Sequence, residues 1–200
     1  VYALEEIDDD LFIASEYVSG ETLRSTIARG PIDESRVRAI AIEMASALGA
    51  AHDAGVIHRD LKPENVLIKA DGHIKIVDFG IAQIEGPEST RLTRAGAMLG
   101  TPAYMAPEQL LGGHVDARAD LYAVGAMGYE LLAGRPPFSG LPPQTLLAAH
   151  VTATPDPVTQ HRATVPPALG ALIMRCLAKH PADRPQTAEE LVGQFEALLP

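Results

Sequence analysis

Apolar residues in the first third of the chain recur every three or four positions, which is typical of an amphipathic helix. The positions are Val37, Ile40, Ala41, Met44, Leu48 and Ala51. Asp33 precedes this stripe and can cap a helix N-terminus, and Gly55 follows it and can end the helix. We therefore expect a helix over residues 33–54 whose stripe packs in the core, with His52 as a packed structural histidine.

Residues 117–133 are apolar nearly all round, which indicates a helix that is buried on every side. Gly134 and the prolines that follow it are expected to end this helix. Shorter helices are predicted at residues 23–29, with Thr22 as N-cap, and at residues 142–151, 167–178 and 188–199, with an irregular proline-rich stretch before the last two.

Short apolar runs predict two hairpins. The first lies within residues 4–18, where three aspartates at residues 8–10 form an acidic turn between two strands. The second joins residues 66–68 to residues 73–77 through Asp71 and Gly72. We expect the second hairpin to hold the residues at its two ends, Asn65 and Asp78, next to each other.

Composition and charge narrow the class of protein. With 46% apolar residues and both charge signs, the chain is expected to form a globular core. The excess of 26 acidic over 16 basic residues gives a net charge of −10, which disfavours a nucleic-acid or anionic-membrane partner. Cys176 is the single cysteine, so no internal disulfide can form, and no apolar run approaches the roughly 18 residues of a membrane span. Because the chain begins at Val1, we expect it to be part of something longer.

Two polar clusters carry the candidate chemistry. The first is the run from His58 to Asn65, and the second is Asp78-Phe79-Gly80 at the end of the second hairpin. A hydroxyl nucleophile needs a proton acceptor, and a polyphosphate needs hard oxygen ligands for its magnesium and a positive charge. Asp60 can be the acceptor, Lys62 the charge, and Asn65 and Asp78 the metal ligands.

Taken singly, these residues have simpler interpretations. An aspartate after an arginine is typical of a solvated ion pair, and Asp-Phe-Gly is typical of an ordinary turn. The two clusters in this order, followed by Ala106-Pro107-Glu108, match the motif set of the protein kinases. On these motifs the chain resembles the protein kinase family, and its Hanks-type bacterial serine/threonine members in particular.

The resemblance implies an α+β, protein-kinase-like fold. Residues 1–18 would supply a remnant of the small lobe, its fourth and fifth strands and the hinge, and residues 19–200 the mainly helical large lobe. Glu16, Tyr17 and Val18 would be the hinge that binds adenine, behind a small gatekeeper at Ser15. Leu67 would be the apolar floor under the adenine ring, although a buried strand residue fits the pattern equally well.

The resemblance also implies a regulatory loop. Residues 81–99 have little periodicity, and a loop of this length is usually functional or mobile. It would be the activation segment, with Thr93 as the first and Thr90 as the second candidate phosphorylation site. Arg59 would be the partner of that phosphate, because a guanidinium matches a phosphate bidentately. Thr101 would bridge Asp60 and Lys62, the pattern of serine/threonine kinases.

Further residues would support the site from below. Asp120 lies inside the apolar helix and must find hydrogen-bond donors; the resemblance supplies them from the backbone of the loop that carries Asp60. An exposed aspartate in the first turn of the helix is the alternative. Residues 100–108 would be the substrate segment, which receives the backbone of the substrate. Arg184 would pair with Glu108 beneath it, and His58 and Phe79 would be structural members of their motifs.

The resemblance implies a serine/threonine protein kinase that uses ATP and Mg²⁺, with Mn²⁺ as an alternative metal. Its partners would be ATP and a protein substrate, and a homodimer would allow phosphorylation in trans. The expected location is cytoplasmic, with a membrane anchor outside this chain left open. The glycine-rich loop, strand lysine and helix glutamate of the family are not in the 200 residues. We expect the chain alone to be nearly inactive; a pseudokinase scaffold and a small-molecule kinase are the alternatives.

Overall fold

The structure is a computed structural model that describes residues 3–7, 10–14, 16–30, 32–79 and 102–198. The helices in these ranges are α1 (Leu23–Ala28), α2 (Glu34–Asp53), α3 (Pro107–Leu110), α4 (Arg118–Ala133), α5 (Pro143–Thr152), α6 (Val158–His161), α7 (Pro167–Cys176) and α8 (Ala188–Glu196). The strands are β1 (Ala3–Ile7), β2 (Asp10–Ala14), β3 (Glu21–Thr22), β4 (Val66–Ile68) and β5 (Ile74–Ile76).

Helix α2 forms where the apolar periodicity predicts it. Its N-cap is Asp33, whose side chain accepts the backbone N–H of Ser35 at 2.9 Å. After its last residue the chain turns at Gly55, which has a φ of 76°. The predicted stripe is buried from Val37 to Leu48, and α2 packs its buried side against α4 and α8. This prediction is confirmed.

Helix α4 is the centre of the molecule, and its residues from Ala119 to Leu132 are all buried. It ends at Gly134, which is left-handed with a φ of 74°. A Cβ on Gly125 would lie 2.5 Å from the Cβ of Cys176, so the absence of a side chain lets α7 approach α4 closely. The predicted helix, buried on every side, is confirmed.

The strands form two separate antiparallel sheets. β1 pairs with β2, with Ala3 opposite Ala14. The second sheet has the order β3-β4-β5, and Leu67 in its central strand lies opposite both Thr22 and Lys75. β3 was not predicted, because its two residues run directly into α1 and Thr22 also caps that helix.

The structure corrects the prediction near the C-terminus. The proline-rich stretch predicted to be irregular contains α6, which begins at Val158, a fully buried residue packed between α4 and α7. Helices α7 and α8 are also two to three residues shorter than their predicted ranges. No helix in the described ranges is long and apolar enough to cross a membrane.

Candidate active site

His58 connects the two predicted clusters. Its ring is fully buried, with Nε2 at 2.9 Å from the carbonyl oxygen of Val77 and Nδ1 at 3.3 Å from the backbone nitrogen of Asp60. A carbonyl only accepts, so Nε2 carries the proton, and Nδ1 is left to accept from the Asp60 N–H. The imidazole thus ties the residue before Asp78 to the loop that carries Asp60.

Asp120, in the first turn of α4, anchors the same loop from below. Its side chain is 1% exposed, and it accepts the backbone N–H groups of His58 and Arg59, both at 2.9 Å. His52 Nε2 lies 2.8 Å from the same carboxylate. Three partners satisfy a carboxylate that would otherwise be costly to bury. They also hold Arg59 at a φ of 65°, which is unusual for a residue other than glycine.

Asp60, Lys62 and Asn65 converge above this anchor. Lys62 Nζ lies 2.7 Å from Asp60 Oδ2. The Asn65 amide nitrogen donates to the Asp60 backbone carbonyl at 2.8 Å and lies 3.5 Å from Asp60 Oδ2. Asp60 is exposed whereas Asn65 is buried. The Asp60 carboxylate therefore reaches solvent, while the buried Asn65 side chain holds the Asp60 backbone in place.

Asp78 follows β5 and lies beside Asn65, because the backbone N–H of Val77 donates to the Asn65 carbonyl at 2.9 Å. Asp78 is exposed and has a φ of 59°. Its neighbour Phe79 packs against the His58 ring, with the ring centroids 4.8 Å apart. The structure therefore brings the predicted acceptor, cation and carboxamide into contact, and places Asp78 next along the backbone from the bond between Val77 and Asn65.

The donor set of this face fits a hard cation. The Asn65 amide nitrogen is used by the Asp60 carbonyl, which leaves the carboxamide oxygen as its ligand atom, and Asp78 offers a carboxylate. Both are oxygen ligands of the kind Mg²⁺ takes. The described residues hold no group of three or more His, Cys, Asp or Glu side chains that could bind a metal alone. A cation here would need further oxygen ligands from a phosphate and water.

Gln109 in α3 connects the loop that carries Asp60 to the segment of chain that precedes α3. Its side-chain nitrogen donates to the Arg59 carbonyl at 2.7 Å, and its side-chain oxygen accepts the Ala106 N–H at 3.0 Å. Sequence reasoning missed this residue, because no pattern distinguishes it from a surface glutamine.

A second missed cluster surrounds Arg24 on α1. Its guanidinium donates to Glu64 and to Glu130, each at 2.8 Å, and to the hydroxyl of Tyr104. The Tyr104 hydroxyl donates in turn to Glu130. Burial and the neighbouring Glu130 raise the pKa of Tyr104 above its ordinary value. The cluster ties α1, the loop after Lys62, the segment before α3 and the end of α4 together.

Arg184 pairs with Glu108 in the first turn of α3, as the resemblance implies. Its guanidinium is fully buried and binds the Glu108 carboxylate bidentately, at 2.7 and 2.8 Å. It also donates to the carbonyls of Ala178, Arg118 and Lys179, at 2.8, 3.0 and 3.1 Å. The charge is therefore paired and its donors are satisfied.

The predicted hinge residues lie at the surface. Glu16 forms an ion pair with Lys75 on β5, and this hydrogen bond lowers the pKa of Glu16. Tyr17 is 90% exposed and Val18 is half-buried. Leu67 is half-buried in the central strand beside them. Their roles toward adenine stay predictions. Ser15, Thr90, Thr93 and Thr101 lie outside the described residues, as does the whole of the predicted activation segment, residues 81–99.

The comparisons with known proteins agree with the family that the sequence motifs resemble. The family model described as "Protein kinase domain" matches residues 1–195. The chain is 45% identical to Serine/threonine-protein kinase pkn3 of Myxococcus xanthus, covering 96% of the chain and 37% of that protein. It is 41% identical to Serine/threonine-protein kinase PknB of Mycolicibacterium smegmatis, covering 90% of the chain and 29% of that protein. The chain thus spans about a third of the length of these curated relatives.

Proposed function

Because the chain belongs to the protein kinase family, we propose that the full-length protein transfers the γ-phosphate of ATP to serine or threonine hydroxyls of a protein substrate. The observation that carries the proposal is the convergence of Asp60, Lys62 and Asn65 beside Asp78, held by Asp120 and His58. These groups are a proton acceptor, a cation and two oxygen ligands, which are the parts that phosphoryl transfer requires.

In this mechanism Asp60 accepts the proton of the attacking hydroxyl. Its carboxylate is exposed, while Asn65 and Lys62 hold it from two sides. In the proposal Lys62 moves from Asp60 to the transferring phosphoryl group and stabilises its charge. Mg²⁺ held by Asn65 and Asp78 would neutralise and orient the polyphosphate, and Mn²⁺ could take the same ligands.

The hydroxyl specificity is supported by the relatives, which are named serine/threonine-protein kinases. Lys62 two residues after Asp60 and Thr101 in the substrate segment are the family's pattern for this specificity. In the proposal Thr101 orients Asp60 and Lys62. The backbone of Glu16, Tyr17 and Val18 binds adenine above Leu67.

We further propose activation by phosphorylation of the loop after Phe79. Thr93 is the first candidate and Thr90 the second, with Arg59 as the phosphate's partner because of its forked guanidinium. A homodimer would allow this reaction in trans, in the cytoplasm where ATP is available. If Thr93→Ala and Thr90→Ala full-length variants were as active as the parent, this part of the proposal would be wrong.

The 200 residues alone should be nearly inactive. We propose that residues 1–18 are the remnant of a small lobe and residues 19–200 the large lobe; the family's glycine-rich loop, strand lysine and helix glutamate are not among them. These groups position the nucleotide, and positioning supplies much of the rate. Turnover by the isolated chain near the roughly 1–100 s⁻¹ typical of kinases would contradict this point.

The test of the function uses the full-length protein, labelled ATP, Mg²⁺ and a generic basic protein, followed by phosphoamino-acid analysis. We expect phosphoserine and phosphothreonine, lost on chelation of Mg²⁺ and in an Asp78→Asn variant. Asp71→Asn is the matched control, because Asp71 is an exposed aspartate of the same hairpin whose ion pair is with Lys69. Nucleotide binding without transfer would instead favour a pseudokinase scaffold.

A further inference from the structure

The peptide unit between Arg59 and Asp60 helps to set the direction in which the Asp60 side chain leaves the loop. A peptide unit is planar, so holding its carbonyl and its N–H fixes the backbone angles on either side of it. Arg59 has a φ of 65°, which residues other than glycine rarely adopt. Asp120 holds the preceding unit through the Arg59 N–H at 2.9 Å. The unit that leads into Asp60 needs partners of its own to keep this backbone conformation.

Two side chains in the described ranges hydrogen-bond to that unit. The Asp60 N–H donates to His58 Nδ1 at 3.3 Å, which is long for a hydrogen bond. The Gln109 side-chain nitrogen donates to the Arg59 carbonyl at 2.7 Å. The unit after Asp60 is held by Asn65, whose amide nitrogen donates to the Asp60 carbonyl at 2.8 Å. Both peptide units that flank the Asp60 Cα are therefore held, and Gln109 makes the shortest of these contacts.

The Gln109 amide satisfies both of its partners in one orientation only. Its oxygen accepts the Ala106 N–H at 3.0 Å, and its nitrogen donates to the Arg59 carbonyl. An N–H only donates and a carbonyl only accepts, so turning the amide by 180° would break both bonds. Gln109 is the third residue of α3, where a glutamine side chain commonly reaches back to the N–H of the N-cap. The bond to Ala106 therefore aims the amide nitrogen at Arg59.

We propose that Gln109 is a positioning residue for Asp60. By holding the Arg59 carbonyl, it keeps the Asp60 carboxylate aimed where the proton of the attacking hydroxyl can reach it. The inference rests on the proposed function, because it takes Asp60 as the proton acceptor. Gln109 takes no proton itself and acts through the peptide unit between Arg59 and Asp60. Because the same amide holds Ala106, it also couples the position of the segment before α3 to that of Asp60.

The alternative is that Gln109 only caps α3 through Ala106, and two variants separate these roles. In Gln109→Glu, an ionised carboxylate still accepts the Ala106 N–H but cannot donate to the Arg59 carbonyl. In Gln109→Met, both hydrogen bonds are lost while the length of the side chain is kept. Gln160→Glu is the matched control, because it makes the same change of charge at an exposed glutamine of α6.

The first measurement is backbone hydrogen exchange of the full-length protein, resolved to single residues by mass spectrometry. In both Gln109 variants the Asp60 N–H should exchange about three- to tenfold faster than in the parent, because its peptide unit has lost its shorter hydrogen bond. Gln160→Glu should leave this rate unchanged. Capping alone predicts parent-like exchange at Asp60 in Gln109→Glu, and that result would overturn the proposal.

The second measurement is single-turnover transfer from ATP with Mg²⁺ to a generic basic protein. Both Gln109 variants should bind ATP as tightly as the parent, because Asn65 and Asp78 are intact. Their transfer rate should fall at least about tenfold, because a misplaced acceptor loses much of the rate. A general loss of folding would weaken ATP binding as well, so the combination of intact binding and slow transfer identifies a positioning role.

The two measurements distinguish failure of this inference from failure of the proposed function. Faster exchange at Asp60, combined with transfer within about threefold of an active parent, would contradict the positioning role. A parent protein that transfers no phosphate would refute the proposed function instead. Hydrogen exchange would then still decide whether Gln109 holds the Arg59 carbonyl, because that measurement requires no activity.

Discussion

Asp120 shows how much of the site depends on one buried carboxylate. It accepts two successive backbone N–H groups, from His58 and Arg59, and so fixes the backbone immediately before Asp60. The apolar sequence around it predicts that such an acid needs donors. It does not identify His52 as the third partner, because that contact spans 68 residues.

Replacing Asp120 with alanine should therefore destabilise the protein. Two buried N–H groups would lose their acceptor, and we expect a loss of about 2–4 kcal/mol in the free energy of unfolding, measured by urea denaturation. Asp53→Ala is the control, because Asp53 is an exposed aspartate at the end of α2 and should change stability by less than about 0.5 kcal/mol. Similar losses for the two variants would contradict the anchoring role of Asp120.

His150 should make stability depend on pH. Burial, followed by the nearby Lys179, lowers the pKa of His150 from 6.5 to about 4. Between these values the unfolded chain binds a proton that the folded chain does not, so stability falls as pH falls from about 6.5 toward 4. At pH 5 this loss amounts to about 2 kcal/mol.

A His150→Gln variant, which cannot titrate, should lose less stability than the parent between pH 7 and pH 5. The measurement is the urea midpoint at both pH values. His73→Gln is the control, since the His73 side chain is 71% exposed, and it should behave like the parent. If His150→Gln were as acid-sensitive as the parent, the buried neutral imidazole would not be the cause.

At the scale of elements, α4 organises the site from beneath. Asp120 near its start holds the loop before Asp60, and Glu130 near its end holds Tyr104 and Arg24. The backbone carbonyl of Arg118 accepts from Arg184. Because α4 is buried on every side, it holds three segments from distant parts of the chain in fixed positions.

The pair between Arg184 and Glu108 should be costly to break. Removing one partner of a buried ion pair leaves the other charge uncompensated, so Arg184→Ala should lose about 3–5 kcal/mol in urea denaturation. Arg175→Ala breaks the more exposed pair with Glu190, at 3.1 Å, and should lose less than about 1 kcal/mol. Equal losses would show that burial does not distinguish the two pairs.

At the scale of the whole molecule, the sequence predicts what is periodic or local. Helices α2 and α4 follow from apolar patterns, and the neighbourhood of Asn65 and Asp78 follows from the predicted hairpin. The two-residue turn predicted for that hairpin is wrong, because the Lys69 N–H donates to the His73 carbonyl and leaves residues 70–72 as a three-residue loop. The cluster of Arg24, Tyr104 and Glu130 could not be predicted, because its contacts join residues 80 and 106 positions apart. Strand β3 was missed because two residues are too short to show a period.

The most direct test of the account is phosphoryl transfer by the full-length protein carrying Asp60→Asn. We expect the variant to bind ATP with Mg²⁺ as tightly as the parent, because Asn65 and Asp78 are intact. We expect its single-turnover transfer to a protein substrate to fall at least about 100-fold, because the proton acceptor is lost. Unchanged ATP binding with transfer within about threefold of the parent would contradict the central claim that Asp60 is the acceptor.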